Sequence, residues 1–193
     1  MGNWRKPLSL EFKSIAFATV DFMALNKIIS GGQTGVDRGA LDAALVAGFA
    51  CGGWCPADRA AEDGEIPERY PLTPLSSAKV SVKSEVRSAR QVGEQNRART
   101  LKNIQASDGT AILFSGTLSG GTLLTQKLCV REKKPFIALD AQAIRTLRAA
   151  DAIARFVEEH GICVLNVAGP RLSAWPAGYR FALGVVGAVI SNL

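Results

Sequence analysis

Residues 25–47 read LNKIISGGQTGVDRGALDAALVA, and their periodicity changes once along the way. Leu25–Ser30 is a short apolar run of strand type, and GGQTG over Gly31–Gly35 is a glycine turn. From Val36 to Ala47 the small and apolar residues Val36, Ala40, Ala43, Ala44 and Ala47 recur on one helical face. Gly48 then stands where a left-handed helix cap is expected. The same grammar appears twice more. Thr110–Phe114 (TAILF) leads into SGTLSGG at Ser115–Gly121 and a helix from about Gly121 to Lys133; Ile162–Val167 (ICVLNV) leads into AGPR at Ala168–Arg171 and a helix towards the C-terminus. Between these units lie a brief strand at Phe49–Cys51, a helix over Glu85–Ala106, a strand at Pro135–Leu139 and a helix over Gln142–Glu159, stopped by His160-Gly161. Strands separated by helices predict an α/β fold: a three-layer, doubly wound, mainly parallel sheet with right-handed crossovers and helices on both faces.

The chain of 193 residues suits one domain. With 47% apolar and 21% charged residues it can bury a core without disulfides or metal, which excludes wholesale disorder. Apolar runs fall far short of the roughly 20 residues of a membrane span. The domain is expected over residues 25–193. Residues 1–24, with Trp4, Phe12, Phe17 and Phe22 in no clear period, read as a peripheral or poorly ordered extension, and Met23 offers an alternative start. The apolar run Ile15–Val20 ends at Asp21, so no secretory signal is read and a cytoplasmic protein with reduced thiols is expected. A single histidine, His160, excludes paired-histidine metal sites; Cys51 and Cys55 lack a second close pair to complete a zinc quartet, and no metal site is expected.

Charge is uneven. Seven basic residues between Lys79 and Lys102 face only Glu85 and Glu94, a net +5 out of the chain's +6. This stretch is either a solvated helix face or a lip that attracts an anionic ligand. It carries no aromatic residue, so base-stacking nucleic-acid binding is not supported.

The three turns each follow a strand and open a helix, the place where open α/β sheets bind ligands. Free amides at a helix N-terminus favour an anion, and three such turns make a convergent site for a small phosphorylated ligand the economical reading. The first turn is G-x-G-x-x-G with Ser30 in place of the first glycine. No acid stands near Cys51–Gly52 to hold a ribose, and no Lys-Ser/Thr follows as in a P-loop. Candidate ligand contacts are Ser30, Gly31, Gly32, Gln33, Thr34 and Gly35 in the first turn, with Asp37 and Arg38 behind it. Ser119, Gly120, Gly121 and Thr122 follow from the second turn, and Gly169, Pro170 and Arg171 from the third. Asp37 is equally readable as a plain first-turn helix acid. The long segment GGWCPADRAAEDGEIPERYPLTP (residues 52–74) is too rich in Gly, Pro and acids for a mere connector, and its Glu62, Asp63 and Glu65 are either solvated loop charges or catalytic groups.

IISGGQTGVDRGALDAAL (Ile28–Leu45), CGGWCPADRAAEDGEIPERYPL (Cys51–Leu72), LSGGT (Leu118–Thr122) and LNVAGPR (Leu165–Arg171) together resemble the putative molybdenum carrier family. That family lies in a Rossmann-like superfamily with the lysine-decarboxylase-like nucleotide hydrolases and the DNA-processing protein A fold. The resemblance implies a carrier for molybdenum cofactor, a phosphorylated pterin, as cargo, and an association into homo-oligomers. It seats a phosphate on the amides of Gly31–Gly35 or Gly120–Thr122, with Arg38 or Arg171 as charge partners and Trp54 available to a pterin or purine ring. Related phosphoribohydrolases carry P-G-G-x-G-T-x-x-E with a catalytic glutamate; aligned on Thr122, this chain has Thr125 there. The resemblance therefore favours non-catalytic binding, with nucleotide hydrolysis through Glu62 and Asp63 as the alternative.

Overall fold

The computed structural model describes residues 25–76 and 89–193. The extension expected over residues 1–24 and the first part of the basic stretch lie outside the described residues. Strand β1 (Lys27–Ile29) leads through helix α1 (Val36–Val46) to β2 (Cys51–Gly52). The long segment carries β3 (Trp54–Cys55), β4 (Ala60–Ala61), β5 (Gly64–Glu65) and β6 (Thr73–Pro74). Then follow α2 (Ala89–Gln105), β7 (Gly109–Phe114), α3 (Gly120–Glu132), β8 (Phe136–Asp140), α4 (Thr146–His160), β9 (Val164–Ala168) and α5 (Gly178–Ser191).

Five strands form one wholly parallel sheet in the order β2-β1-β9-β7-β8. The last strand is thus the central one: β9 pairs with β1 through Leu165 opposite Ile28 and with β7 through Val167 opposite Ala111. From the centre the chain steps outward in both directions, β1 to β2 and β7 to β8. Right-handed crossovers therefore put α1 and α3 on opposite faces. Helix α5 packs on α1 and α4 on one side, and α2 packs on α3 on the other. The larger core lies under the first group, where Val36, Ala40, Ile153, Val185 and Val189 meet Ile28, Leu113, Leu165 and Val167 from the sheet. A smaller one, Ile104, Leu128 and Cys129, lies under α2 and α3.

Most expected elements appear with shifted ends, and two differences have local causes. The fourth helix begins at Thr146 rather than Gln142, because the Asp140 carboxylate accepts the amides of Gly116 (2.8 Å) and Gln142 (2.9 Å) and holds residues 141–145 in turns. The helix after the third turn begins only at Gly178; residues 169–177 are irregular, with Trp175 packed against Phe181 at 5.5 Å between ring centroids. The long segment is ordered. It wraps Leu41, Cys55, Ile66, Tyr70 and Leu72 into a third cluster, and the Tyr70 and Tyr179 hydroxyls both donate to Asp42 on α1, at 3.1 and 2.8 Å.

Close helix contact depends on small residues. A Cβ on Gly39 of α1 would lie 2.4 Å from the Tyr179 carbonyl oxygen of α5, which is backbone and cannot yield, whereas one on Gly187 of α5 meets nothing within 4 Å. Alanine usually stabilises a helix relative to glycine by about 1 kcal/mol. Gly187→Ala should therefore raise stability by up to about 1 kcal/mol, and Gly39→Ala should lower it by roughly 1–3 kcal/mol. Urea unfolding of the two variants compares them directly.

Candidate functional site

Because β1, β9 and β7 are neighbours and run the same way, the turns at their carboxyl ends meet. They line one cleft of about 590 Å³, within the ordinary range for small-molecule sites. Gly31, Gln33 and Asp37 come from the first turn and α1; Ser115, Ser119, Gly120, Gly121, Thr122 and Thr125 from the second and α3; Gly169, Pro170 and Arg171 from the third. Helix α2 closes the opposite wall with Asn96, Arg97, Arg99, Thr100 and Asn103, and Asn166 of β9 contributes its buried side chain.

The turns differ in what their amides do. In the first, the amide of Gln33 donates to Asp37 Oδ2 at 3.2 Å and that of Thr34 to the Gln33 side chain at 3.0 Å. Its glycines serve contact within the protein. A Cβ on Gly32 would meet Leu72 at 2.3 Å, and one on Gly35 would meet the Pro170 carbonyl oxygen at 2.6 Å. The third turn is similarly closed: Leu172 N donates to Thr34 Oγ1 (3.1 Å), Ser173 N to Glu62 Oε1 (3.1 Å), and Val36 N to the Pro170 carbonyl (3.3 Å). The second turn is open. The amides of Gly120 and Gly121, at the start of α3, make no hydrogen bond among the described residues, and a Cβ on either glycine meets nothing within 4 Å. Of the two phosphate seats expected from the sequence, the protein's own groups take the Gln33 and Thr34 amides of the first and the Thr122 amide of the second (to the Ser119 carbonyl, 3.1 Å), and the Gly120 and Gly121 amides stand beside open space.

Asp37 is the one carboxylate lining this cleft among the described residues, and it is 5% exposed. Burial pushes its carboxyl above the usual carboxylate range, opposed by the Arg99 charge and by the amides of Gln33 and Gly169 directed at it. Arg99 stands 3.8 Å from Asp37 Oδ2 and donates to the Gly31 carbonyl at 3.4 Å, while its buried Nε has no hydrogen-bond partner. Gly31 makes room for this pair. A Cβ there would lie 2.9 Å from the Arg99 guanidinium and from Asp37 Oδ2. Sequence reasoning noticed the basic stretch but not Arg97, Arg99 or Asn103 as individuals. Helical spacing places Arg99 and Asn103 on one face, and that was the only available signal.

Several expected contacts lie elsewhere. Arg38 does not line the cleft: its guanidinium grips Asp63 through two bonds (2.6 and 2.8 Å) and its Nε donates to the Gly32 carbonyl (3.2 Å). Trp54 sits in β3, where the Asn103 side chain accepts its amide and donates to its carbonyl, both at 2.9 Å, and Lys102 Nζ stands 5.0 Å from its ring centre. Ser30, Gly32, Thr34 and Gly35 lie behind the cleft wall, Ser30 donating to the Val167 carbonyl at 2.6 Å. Glu62 and Asp63, the alternative catalytic pair, are outside the cleft. Glu62 accepts the hydroxyls of Thr34 and Ser173 and pairs with Arg171 Nε at 3.3 Å, so it clamps the first turn to the third. Thr125 donates to the Gly121 carbonyl at 3.0 Å. Among the described residues, no group of three or more His, Cys, Asp or Glu side chains is arranged to hold a metal ion.

A sheet whose central strand comes last has the strand order of a doubly wound fold with its chain ends moved. A family model described as the circularly permutated YpsA SLOG family matches residues 28–190. The chain belongs to this family. The crystal structure of a protein named as a putative molybdenum carrier, from Syntrophus aciditrophicus SB, is similar with a TM-score of 0.75 and 37% sequence identity, over 86% of this chain and 96% of that one. No curated protein matches the chain. In this SLOG protein β1 is the strand beside the centre, not the central strand itself.

The Glu62 clamp has a pH signature. Burial alone would raise the Glu62 carboxyl, but the bonds from Ser173 and Thr34 and the Arg171 charge outweigh it and hold it below its ordinary 4.5; the Arg38 bond holds Asp63 below 3.8. Both contributions are complete at neutral pH and are lost as pH falls through the folded-state values, opposite in sign to buried Asp37. The urea midpoint should drop between pH about 5 and about 3, less steeply in Glu62→Gln.

Proposed function

We propose that this protein binds and carries a phosphorylated small molecule of the pterin or nucleotide class, without converting it. Supporting this reading is one observation above the others: the amides of Gly120 and Gly121, without hydrogen-bond partners among the described residues, border a cleft whose far wall carries Arg97 and Arg99 and whose rim carries Arg171. A phosphate there would gain amide hydrogen bonds, the positive end of the α3 dipole and charge-assisted bonds from arginine. Residues of mixed donor and acceptor character, Asn96, Asn103, Asn166 and Gln33, line the remaining space and suit a polar heterocycle. The name borne by the similar crystal structure makes molybdenum cofactor the first cargo to try.

The absence of conversion rests on two placements. Thr125 stands where related hydrolases use a carboxylate, and Glu62 and Asp63 are engaged outside the cleft. Hydrolysis would have to run through Asp37, the cleft's carboxylate. Incubation with nucleoside monophosphates, followed by chromatography for free base or phosphate, should therefore show no turnover.

Binding itself is measured by thermal shift with molybdenum cofactor, its precursors and nucleoside monophosphates. A ligand at 100 times its Kd should stabilise the fold by about 2.7 kcal/mol. Gly121→Glu provides the control. An acidic residue in the first turn of α3 is favourable to the helix, and the position is open, so the variant should fold as well as the parent while losing the ligand-induced shift entirely.

A further inference from the structure

In a doubly wound sheet the pyrophosphate of a dinucleotide rests on the turn after the central strand, against the start of the following helix. Here that turn is Ala168–Arg171, after β9. Three observations show that it has no room for an anion from outside. Gly169 lies on the protein's own backbone, since a Cβ there would be 2.4 Å from the Leu113 carbonyl oxygen and 2.6 Å from Val36 Cγ2. The amides that follow, of Leu172 and Ser173, are bound by Thr34 and Glu62. Helix α5 does not begin until Gly178, so no helix N-terminus faces the turn.

In the place that remains stands Asp37. Its carboxylate is buried where the first and third turns meet, accepts the Gln33 amide at 3.2 Å, is faced by the Gly169 amide, and is balanced by Arg99 at 3.8 Å. We infer that Asp37 is a specificity-determining residue that acts as a built-in anion, filling the amide pocket where a second phosphate would sit and restricting the cleft to ligands with a single phosphate group. The inference rests on the reading that the cleft binds phosphorylated molecules at Gly120–Gly121, and adds to it that diphosphates and dinucleotides are rejected by charge.

Calorimetric titration of the full chain tests this with two matched pairs of probes: inorganic phosphate against pyrophosphate, and AMP against ADP. In the wild type the diphosphate member of each pair should bind no more tightly than the monophosphate, although its extra charge would ordinarily favour it. Asp37→Asn keeps the shape and removes the charge; it should raise the ratio of diphosphate to monophosphate affinity by about tenfold or more, as expected for a like charge removed at close range. Wild-type protein that prefers pyrophosphate or ADP overturns the inference without any variant, and so does a folded Asp37→Asn protein that keeps the wild-type ratio. Binding of none of the four probes would overturn the reading of the cleft, and this inference with it, whereas monophosphate binding without discrimination removes the role of Asp37 alone.

Discussion

Strand β9 makes hydrogen bonds on both sides, to Lys27–Ile29 and to Gly109–Ile112, and the position of the cleft follows from that double pairing. It brings a segment from the end of the chain between two strands that are far apart in sequence. Because all three run parallel, their carboxyl ends finish on one edge and the following turns converge there. Parallel pairing buries both faces of the sheet, which is why Ile28, Ala111, Ile112, Leu113, Leu165 and Val167 are almost wholly enclosed. The cleft exists because three helices begin or pass above that edge without filling it.

Within the cleft, the protein treats three similar glycine turns in three ways. The first is folded around Asp37 and braced by Gln33; the third is tied by Thr34 and Glu62; the second gives its Gly116 amide to Asp140, and its Gly120 and Gly121 amides have no hydrogen-bond partner among the described residues. Glycine therefore has two distinct uses here. At Gly31, Gly35 and Gly169 it lets the protein approach itself, and at Gly120 and Gly121 it leaves space for something else. Acidic residues of the long segment belong to the first use. Glu62 and Asp63 hold Thr34, Ser173, Arg171 and Arg38 in place, and so set the shape of the cleft from outside it.

Helix α2 supplies the charge balance. Arg99 reaches across the cleft floor to Asp37 and Gly31, and Asn103, one turn later, fastens the helix to the main chain of Trp54. One helix thus neutralises a buried carboxylate, presents Arg97 to the cavity and locks the long segment to the sheet. A carboxylate without such a partner would be costly at this depth.

The alternation of strand, glycine turn and helix at Leu25–Val46 and Gly109–Glu132 is local, so the chain alone determined the fold class, the layers and which turns stand at the carboxyl ends of strands. Periodicity and glycine position depend only on neighbours in sequence, and these carry that information. Strand order is not local: nothing in ICVLNV says that it enters between β1 and β7. Nor can a glycine's sequence tell which atoms approach it. That Gly35 packs on Pro170 while Gly121 faces open space, that Arg38 turns to Asp63 and that Arg99 turns to Asp37, are outcomes of which surfaces the sheet brings together. Tertiary packing decided them, because each hydrogen bond went to the partner the fold placed within about 3 Å, not to the nearest one along the chain.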